Sequence, residues 1–355
     1  MFAVCLGVLM VSATPAFAKG TPGPARLGDF SQVERAMRDR VKEDGLSGGA
    51  LLIGTAQGGL LDRVMFRKFS GTTVIPIASA SKWLTAATVM TLVDDGKLRL
   101  DDPISKYLPV FTGKKAAITI RQALSHTSGL PPQDCAGDPS VSLEACVQHI
   151  ATVTDGVNPP GTAFRYTSVG FVIVGRIIEK VTGTSFEEAF DDRIARTVGM
   201  NRTEFVHGKG TYPDPASSAT ATLDDYGNFV QMLARGGLVG NRRVLSEASV
   251  HEIERDQVTG IDTHSDAAVQ ITHIPTYGLG VWRDKVGAGD EIQVVSGSGA
   301  YGFYPWIDRQ HHTYGIVAVA DLENGSEHAV PASQRTAQLA WAEAEAAVAG
   351  VATTH

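Results

Sequence analysis

Ser79 and Lys82 stand three positions apart in IASASKWLTAATVM, residues 77–90, a stretch that is apolar at helical spacing. A serine hydroxyl is a poor nucleophile until a base takes its proton. On a helix, positions i and i+3 share a face, so the Lys82 amine can reach the Ser79 oxygen. Ser81 is less well placed, because it points about 100° away from Lys82 around the helix. A lysine that acts as base must be neutral near pH 7, which asks for about 4 kcal/mol of desolvation and neighbouring positive charge. Trp83 and Leu84 follow the amine in sequence and offer apolar surroundings. A helix start adds backbone N–H groups and positive dipole where an oxyanion develops. Alone the pattern is weak: Ser-x-x-Lys arises about once by chance in a chain of this length, and the plain alternative is a capping serine with a surface lysine.

Other constellations compete. GLSGG, residues 45–49, fits the Gly-x-Ser-x-Gly elbow, which needs a strand before it and a helix after it. Here the order is reversed, which sets Ser47 aside. His126 in LSHTSGLP invites a Ser-His-Asp reading; it reads instead as a structural residue packing a helical lobe. HEIERDQ, 251–257, has Arg255 where a second zinc ligand would sit. The adjacent His311 and His312, if strand-borne, point to opposite faces and cannot form a one-sided metal site. The sequence predicts no metal and no cofactor.

The rest of the 355 residues must hold Ser79 in place. A net charge of −7 removes the electrostatic case for nucleic acid. MFAVCLGVLMVSATPAFA ends in Ala16-Phe17-Ala18 and reads as a signal peptide, 1–18, cleaved after Ala18. Its run of about 10–12 apolar residues is too short to span a bilayer. The expectation is a periplasmic or secreted protein without a membrane span once the signal is removed. Cys5 leaves with the signal, so Cys135 and Cys146 remain as an even pair in an oxidising compartment, and a local disulfide is expected.

Residues 19–28 are Gly/Pro-rich and read as a flexible segment, followed by one domain over 29–355. DFSQVERAMRDRVKEDG has apolar Phe30, Val33, Met37 and Val41 at helical spacing. GGALLIGT and LLDRVMF read as a hairpin, and the Ser79 helix runs to about Asp95. From about 101 to 250 the pattern is mostly helices and loops. Strands return in YGLGVWRD, EIQVVSG, YGFYPWID and TYGIVAVAD, and an Ala-rich helix covers about 331–348. Strands at both chain ends with helices between them imply an α+β fold. An antiparallel sheet is built from both termini, flanked by helices, with an inserted, mostly helical lobe.

The motifs then converge. SASK at 79–82 sets the first motif; RYTS at 165–168 supplies a Tyr-x-Ser; LDDPISKYLP, LSHTSGLP, PGTAFRYTSVGFVIVGRIIEKVTG and GSGAYGFYPWID accompany them in order. On these stretches, over roughly residues 30–345, the chain resembles the serine β-lactamase and penicillin-binding superfamily. It is similar to the branch holding class C β-lactamases, D-alanyl-D-alanine carboxypeptidases and family VIII carboxylesterases. The resemblance implies a β-lactamase/transpeptidase-like fold and an acyl-enzyme. It makes Ser79 the acylated nucleophile, Lys82 its base, and Tyr166 a second acid/base that serves the leaving group and the deacylating water. It puts Ser168 in the site, although a serine before VGFVIVGRII is also a plausible helix cap. It forms the oxyanion hole from the N–H groups of Ser79 and Ala300.

The third motif departs from that family. Where relatives carry Lys-Thr-Gly or His-x-Gly, this chain sets Gly297 at the lysine place, Ser298 at the threonine place and Gly299 at the glycine. A frame shifted by one puts Ser296 at the lysine place, and neither frame has a cation. That lysine usually meets a substrate carboxylate; Arg165 or Arg309 is the alternative source of charge. The implied substrates are small esters or amides first. D-alanyl peptides or β-lactams come second, and slow acylation without efficient turnover is a further alternative.

Overall fold

The computed structural model describes residues 28–133, 135, 141–153, 157–206 and 213–352. The expected signal peptide, 1–18, and the expected flexible segment, 19–28, lie, Gly28 apart, outside the described residues. The strands are β1 (Gly48–Thr55), β2 (Leu60–Arg67), β3 (Ile75–Pro76), β4 (Glu204–Phe205), β5 (Ala219–Ala221), β6 (Leu238–Val239), β7 (Arg242–Arg243), β8 (Trp282–Val286), β9 (Ile292–Ser296), β10 (Tyr304–Asp308) and β11 (Thr313–Ala318). Six of them form one antiparallel sheet in the order β2-β1-β11-β10-β9-β8. The N-terminal strand β1 lies against the C-terminal strand β11, Leu51 opposite Val317 and Ile53 opposite Gly315. The sheet is thus closed from both chain ends, as expected.

β1 is buried along nearly its whole length. Its residues alternate between two cores, as strand geometry requires. Ala50 and Leu52 join the core around Trp83; Leu51 and Ile53 join the core under the first and last helices. The helix Ser81–Asp94 is buried from Ser81 to Leu92 without a break. Such all-round burial is the signature of a central helix. Among the described residues no helix is long and apolar enough to cross a membrane.

Three details differ from expectation. YGLGVWRD becomes strand only at Trp282. A Cβ at 278 would lie 2.2 Å from Ile253 O, and one at 280 would lie 2.8 Å from Lys82 O, where φ is +78°. Those contacts turn the chain before the ladder starts. The last helix spans Ser326–Ala352 and runs through Pro331 rather than starting there. Arg40 ties that part of it down, donating to Ala329 O and Ser333 Oγ. The lobe between 101 and 250 holds the two-stranded sheet β6-β7 and contributes β4 and β5 to a small sheet with β3, in the order β3-β5-β4. Strands of two or three residues are too short to show a period.

Cys135 and Cys146 form a disulfide, with Cα atoms 5.3 Å apart. It ties the chain after SHTSGLPP to the helix Leu143–Thr152. Closing a loop of about 12 residues contributes roughly 2–3 kcal/mol by the chain-entropy argument. We expect the Cys135→Ala/Cys146→Ala variant to lose about that much in urea denaturation; an unchanged midpoint would contradict the bond's contribution.

Candidate active site

Ser79 sits in a 3-10 turn, Ala78–Ala80, just ahead of the helix Ser81–Asp94, and not in the α-helix itself. The pairing survives because side chains at i and i+3 eclipse in a 3-10 turn. Lys82 Nζ donates to Ser79 Oγ at 3.1 Å and to Ala216 O at 3.2 Å. Lys82 is 2% exposed, while Ser79 is half-buried. The ammonium lies 4.7 Å from the centre of the Tyr166 ring and 5.5 Å from that of Phe171. A cation over aromatic faces is attracted by their quadrupoles. The amine is thus held between one hydroxyl, one carbonyl and two rings.

The turn carrying Ser79 is strained and pinned. Ala78 has φ +45°, a region L-residues seldom occupy. Ser81 Oγ donates to Ala78 O at 2.6 Å and accepts the Ala219 N–H at 3.0 Å. Tyr226 OH donates to Ala80 O at 2.8 Å. Ser81 therefore holds the turn's shape, a part that spacing alone did not reveal.

Tyr166 arrives from the other lobe. Its ring stacks on Trp282, centroids 5.2 Å apart and planes 19° from parallel. Three successive amides fix the segment. Arg165 N–H donates to His126 O at 2.9 Å, Tyr166 N–H to Asp266 Oδ2 at 2.9 Å, and Thr167 N–H to His126 Nδ1 at 3.3 Å. His126 is 3% exposed and packs its ring 4.4 Å from that of Tyr166. It does pack the lobe, but it also lines the site. Burial, and next the Lys82 charge, hold its pKa well below the usual histidine value. Sequence reasoning missed Asp266, because a capping carboxylate 100 residues away leaves no local pattern. Ser168 occupies the cap position of the helix Val169–Thr182, yet its side chain makes no capping hydrogen bond.

The 297–300 segment leaves the end of β9 and closes on the Ser79 turn. A Cβ at 299 would lie 2.2 Å from Ile77 O, so only glycine allows this approach. Gly297 N–H donates to Pro305 O and Gly299 N–H to Phe303 O. Ala300 lies in the turn that follows, which Gly302 N–H closes by donating to Gly299 O. Gly297 and Ser298 are buried, and Ala300 is half-buried. A Cβ at 297 would lie 2.8 Å from Trp83 Cε3, so a lysine there would have to displace a buried indole. Arg309 is committed elsewhere: its Nε donates to the buried Glu254 at 2.8 Å and its Nη atoms to Leu233 O and Ala234 O. The Arg165 side chain is half-buried beside Tyr166.

The decoys fall outside this centre. Ser47 is exposed in the bend before β1. His311 and His312 lie in the turn between β10 and β11, not on a strand as expected, and His311 Nδ1 pairs with Asp308 Oδ2 at 2.7 Å. Arg255 pairs with Glu252 at 2.7 Å. Asp44, Asp321 and His328 bring three ligand-type atoms within 4.8 Å of one another. Arg40 donates to Asp44 there and its charge also faces Asp321, so the cluster already has a cation.

The chain is similar to known proteins in sequence and in fold. The Beta-lactamase family model matches residues 33–340. Penicillin-binding protein 4 of Amycolatopsis lactamdurans is 31% identical over 276 residues, covering 64% of this chain and 70% of that protein. Protein flp of Staphylococcus aureus matches 39% of this chain but only 29% of its own length. A putative beta-lactamase from Bacteroides dorei superposes with TM-score 0.78 at 31% identity, covering 88% of this chain and 98% of that one. A family VIII carboxylesterase superposes at 0.70 with 18% identity, covering 88% and 96%, a likeness of fold.

Proposed function

The chain belongs to the Beta-lactamase family, and from that premise we propose that it is a serine hydrolase acylated at Ser79, with small neutral esters and amides as its preferred substrates. The observation that carries this reading is Lys82 Nζ, 3.1 Å from Ser79 Oγ and set against the Tyr166 ring. As a neutral amine Lys82 takes the Ser79 proton during attack and becomes the ammonium. Tyr166 passes a proton to the leaving group and then activates the deacylating water. The amides of Ser79 and Ala300 receive the oxyanion. Gly299 is the feature that lets the two segments approach closely enough for that. Ser168, whose hydroxyl is not spent on a cap, and Ser298 contact the acyl group. A disulfide between Cys135 and Cys146 fits an exported protein.

The missing cation selects the substrate. A charge-assisted hydrogen bond to a substrate carboxylate is worth about 1.5–3 kcal/mol, or roughly 10- to 150-fold in rate. Gly297 cannot supply it and Arg309 is paired with Glu254, which leaves Arg165, half-buried beside Tyr166, as the alternative source of charge. The test compares kcat/KM for one acyl group presented as a neutral ester and with a free carboxylate, alongside time-resolved intact mass with a penicillin. We expect the neutral ester to lead by about tenfold or more. A tenfold advantage for the carboxylate form would replace the esterase reading with a D-peptidase or β-lactamase one. A stable acyl adduct without turnover would make the protein a slow-acylating penicillin binder.

A further inference from the structure

Tyr166 is fixed by more than its own motif. The His126 backbone has φ +60°, a left-handed conformation that histidine tolerates better than most residues but that still needs support. Support comes from an aromatic cage: Phe164, Tyr166, Phe171 and Tyr277 stand with ring centres 4.4–5.8 Å from the imidazole. The ring's two nitrogens then have different partners. Nδ1 faces the Thr167 N–H at 3.3 Å. A backbone amide is only a donor, so Nδ1 must be the bare acceptor. The single ring proton therefore sits on Nε2, which faces the Tyr277 hydroxyl at 3.3 Å. A hydroxyl that accepts from histidine has its own hydrogen left to give. The Tyr277 and Tyr166 rings meet edge to face with centres 6.0 Å apart, which makes Tyr166 the neighbour to which that hydrogen can be given.

We infer that His126 and Tyr277 form a positioning relay, in which the Thr167 amide sets the histidine tautomer, the histidine turns the Tyr277 hydroxyl, and Tyr277 donates a hydrogen bond to the Tyr166 oxygen. The inference rests on the reading of Tyr166 as the acid/base of the site. No proton leaves the relay. Tyr277 is buried, and burial first, then Tyr166, pushes its pKa well above the usual phenol value, so it remains a donor. His126 is held neutral by burial and by Lys82. A donor of this kind favours the deprotonated Tyr166 over the protonated one, because a hydrogen bond to a charged acceptor is stronger than one to a neutral acceptor. The ionisable groups that face Tyr166 are Lys82 across its ring, His126 beside it, Tyr277 edge to face with it and Asp266 on its amide. The relay thus complements Lys82: one supplies positive charge, the other a fixed dipole.

The test uses the full-length enzyme and two variants. Tyr277→Phe keeps the ring and removes the donor. His126→Asn keeps a residue type that accepts positive φ, and its side-chain oxygen is able to take the Thr167 amide, but it is too short to reach Tyr277. Each is assayed by fluorophosphonate mass at Ser79 and by the pH profile of kcat/KM. We expect Ser79 to label in both, kcat/KM to fall about 10- to 100-fold in Tyr277→Phe, and the acid limb of the profile to move up by about one pH unit. His126→Asn moves the limb the same way by less. In a Tyr166→Phe background, Tyr277→Phe costs less than about twofold, because the relay acts through Tyr166 alone. If Ser79 still labels but the acid limb stays put in Tyr277→Phe and His126→Asn, the relay is wrong and the site reading stands. If the label is not on Ser79, the site reading falls and takes the relay with it.

Discussion

Ser79→Ala is expected to abolish covalent labelling by a fluorophosphonate and to lower ester turnover by at least about 10³-fold, the scale seen when a nucleophile that works as part of a unit is removed. Three features of the site concentrate the chemistry on this hydroxyl. Lys82 Nζ is 3.1 Å away and only 2% exposed, so its hydrogen bond is not shared with bulk water. The turn is held in an unusual shape by Ser81, Ala219 and Tyr226, so Ser79 does not drift from the base. The chain at Gly299 lies directly against the Ile77 carbonyl, next to the turn that carries Ser79. Ser47→Ala is the control, because Ser47 is an exposed residue in a bend before β1. Adduct mass located by peptide mapping decides the matter. A label that survives Ser79→Ala and is lost in Ser47→Ala would sink the assignment.

Lys82 and Tyr166 are expected to fail together. Lys82→Met keeps the length and volume of a buried side chain while removing the amine, and Tyr166→Phe keeps the ring stacked on Trp282. Each should lower kcat by at least about 10²-fold, the ordinary worth of a positioned acid or base. The double variant should lie within about threefold of the worse single one, since groups that pass one proton between them are not additive. Circular dichroism and urea denaturation check that each variant folds. Independent effects that multiply to about 10⁴-fold or more would show two separate roles. Wild-type turnover in Tyr166→Phe would remove Tyr166 from the mechanism.

Much of the architecture was legible because it is periodic. The hairpin β1–β2, the helix Ser31–Glu43 and the strands β9 to β11 repeat at two or at three-to-four residues, and their burial follows that pattern. The short strands β3 to β7 were not legible, since two or three residues carry no period. The reading of 277–281 as strand failed for a different reason. Gly278 and Gly280 lie against the carbonyls of Ile253 and Lys82, partners remote in sequence, and the turn they force is set by that contact.

The sequence by itself determined that Ser79 and Lys82 would meet, because a separation of three residues puts side chains together in either kind of helical turn. It also determined that the third motif carries no cation, since Gly297, Ser298 and Gly299 have none to offer. Only the tertiary structure decided what surrounds that pair. Tyr166 reaches Lys82 because Asp266 and His126 hold three amides in a row from remote parts of the chain. Trp83 occupies the space beside Gly297, and Arg309 is drawn to Glu254 rather than toward a substrate. Such contacts depend on which surfaces the cores bring together; a hydrogen bond across 100 residues has no spacing rule, whereas one across three does.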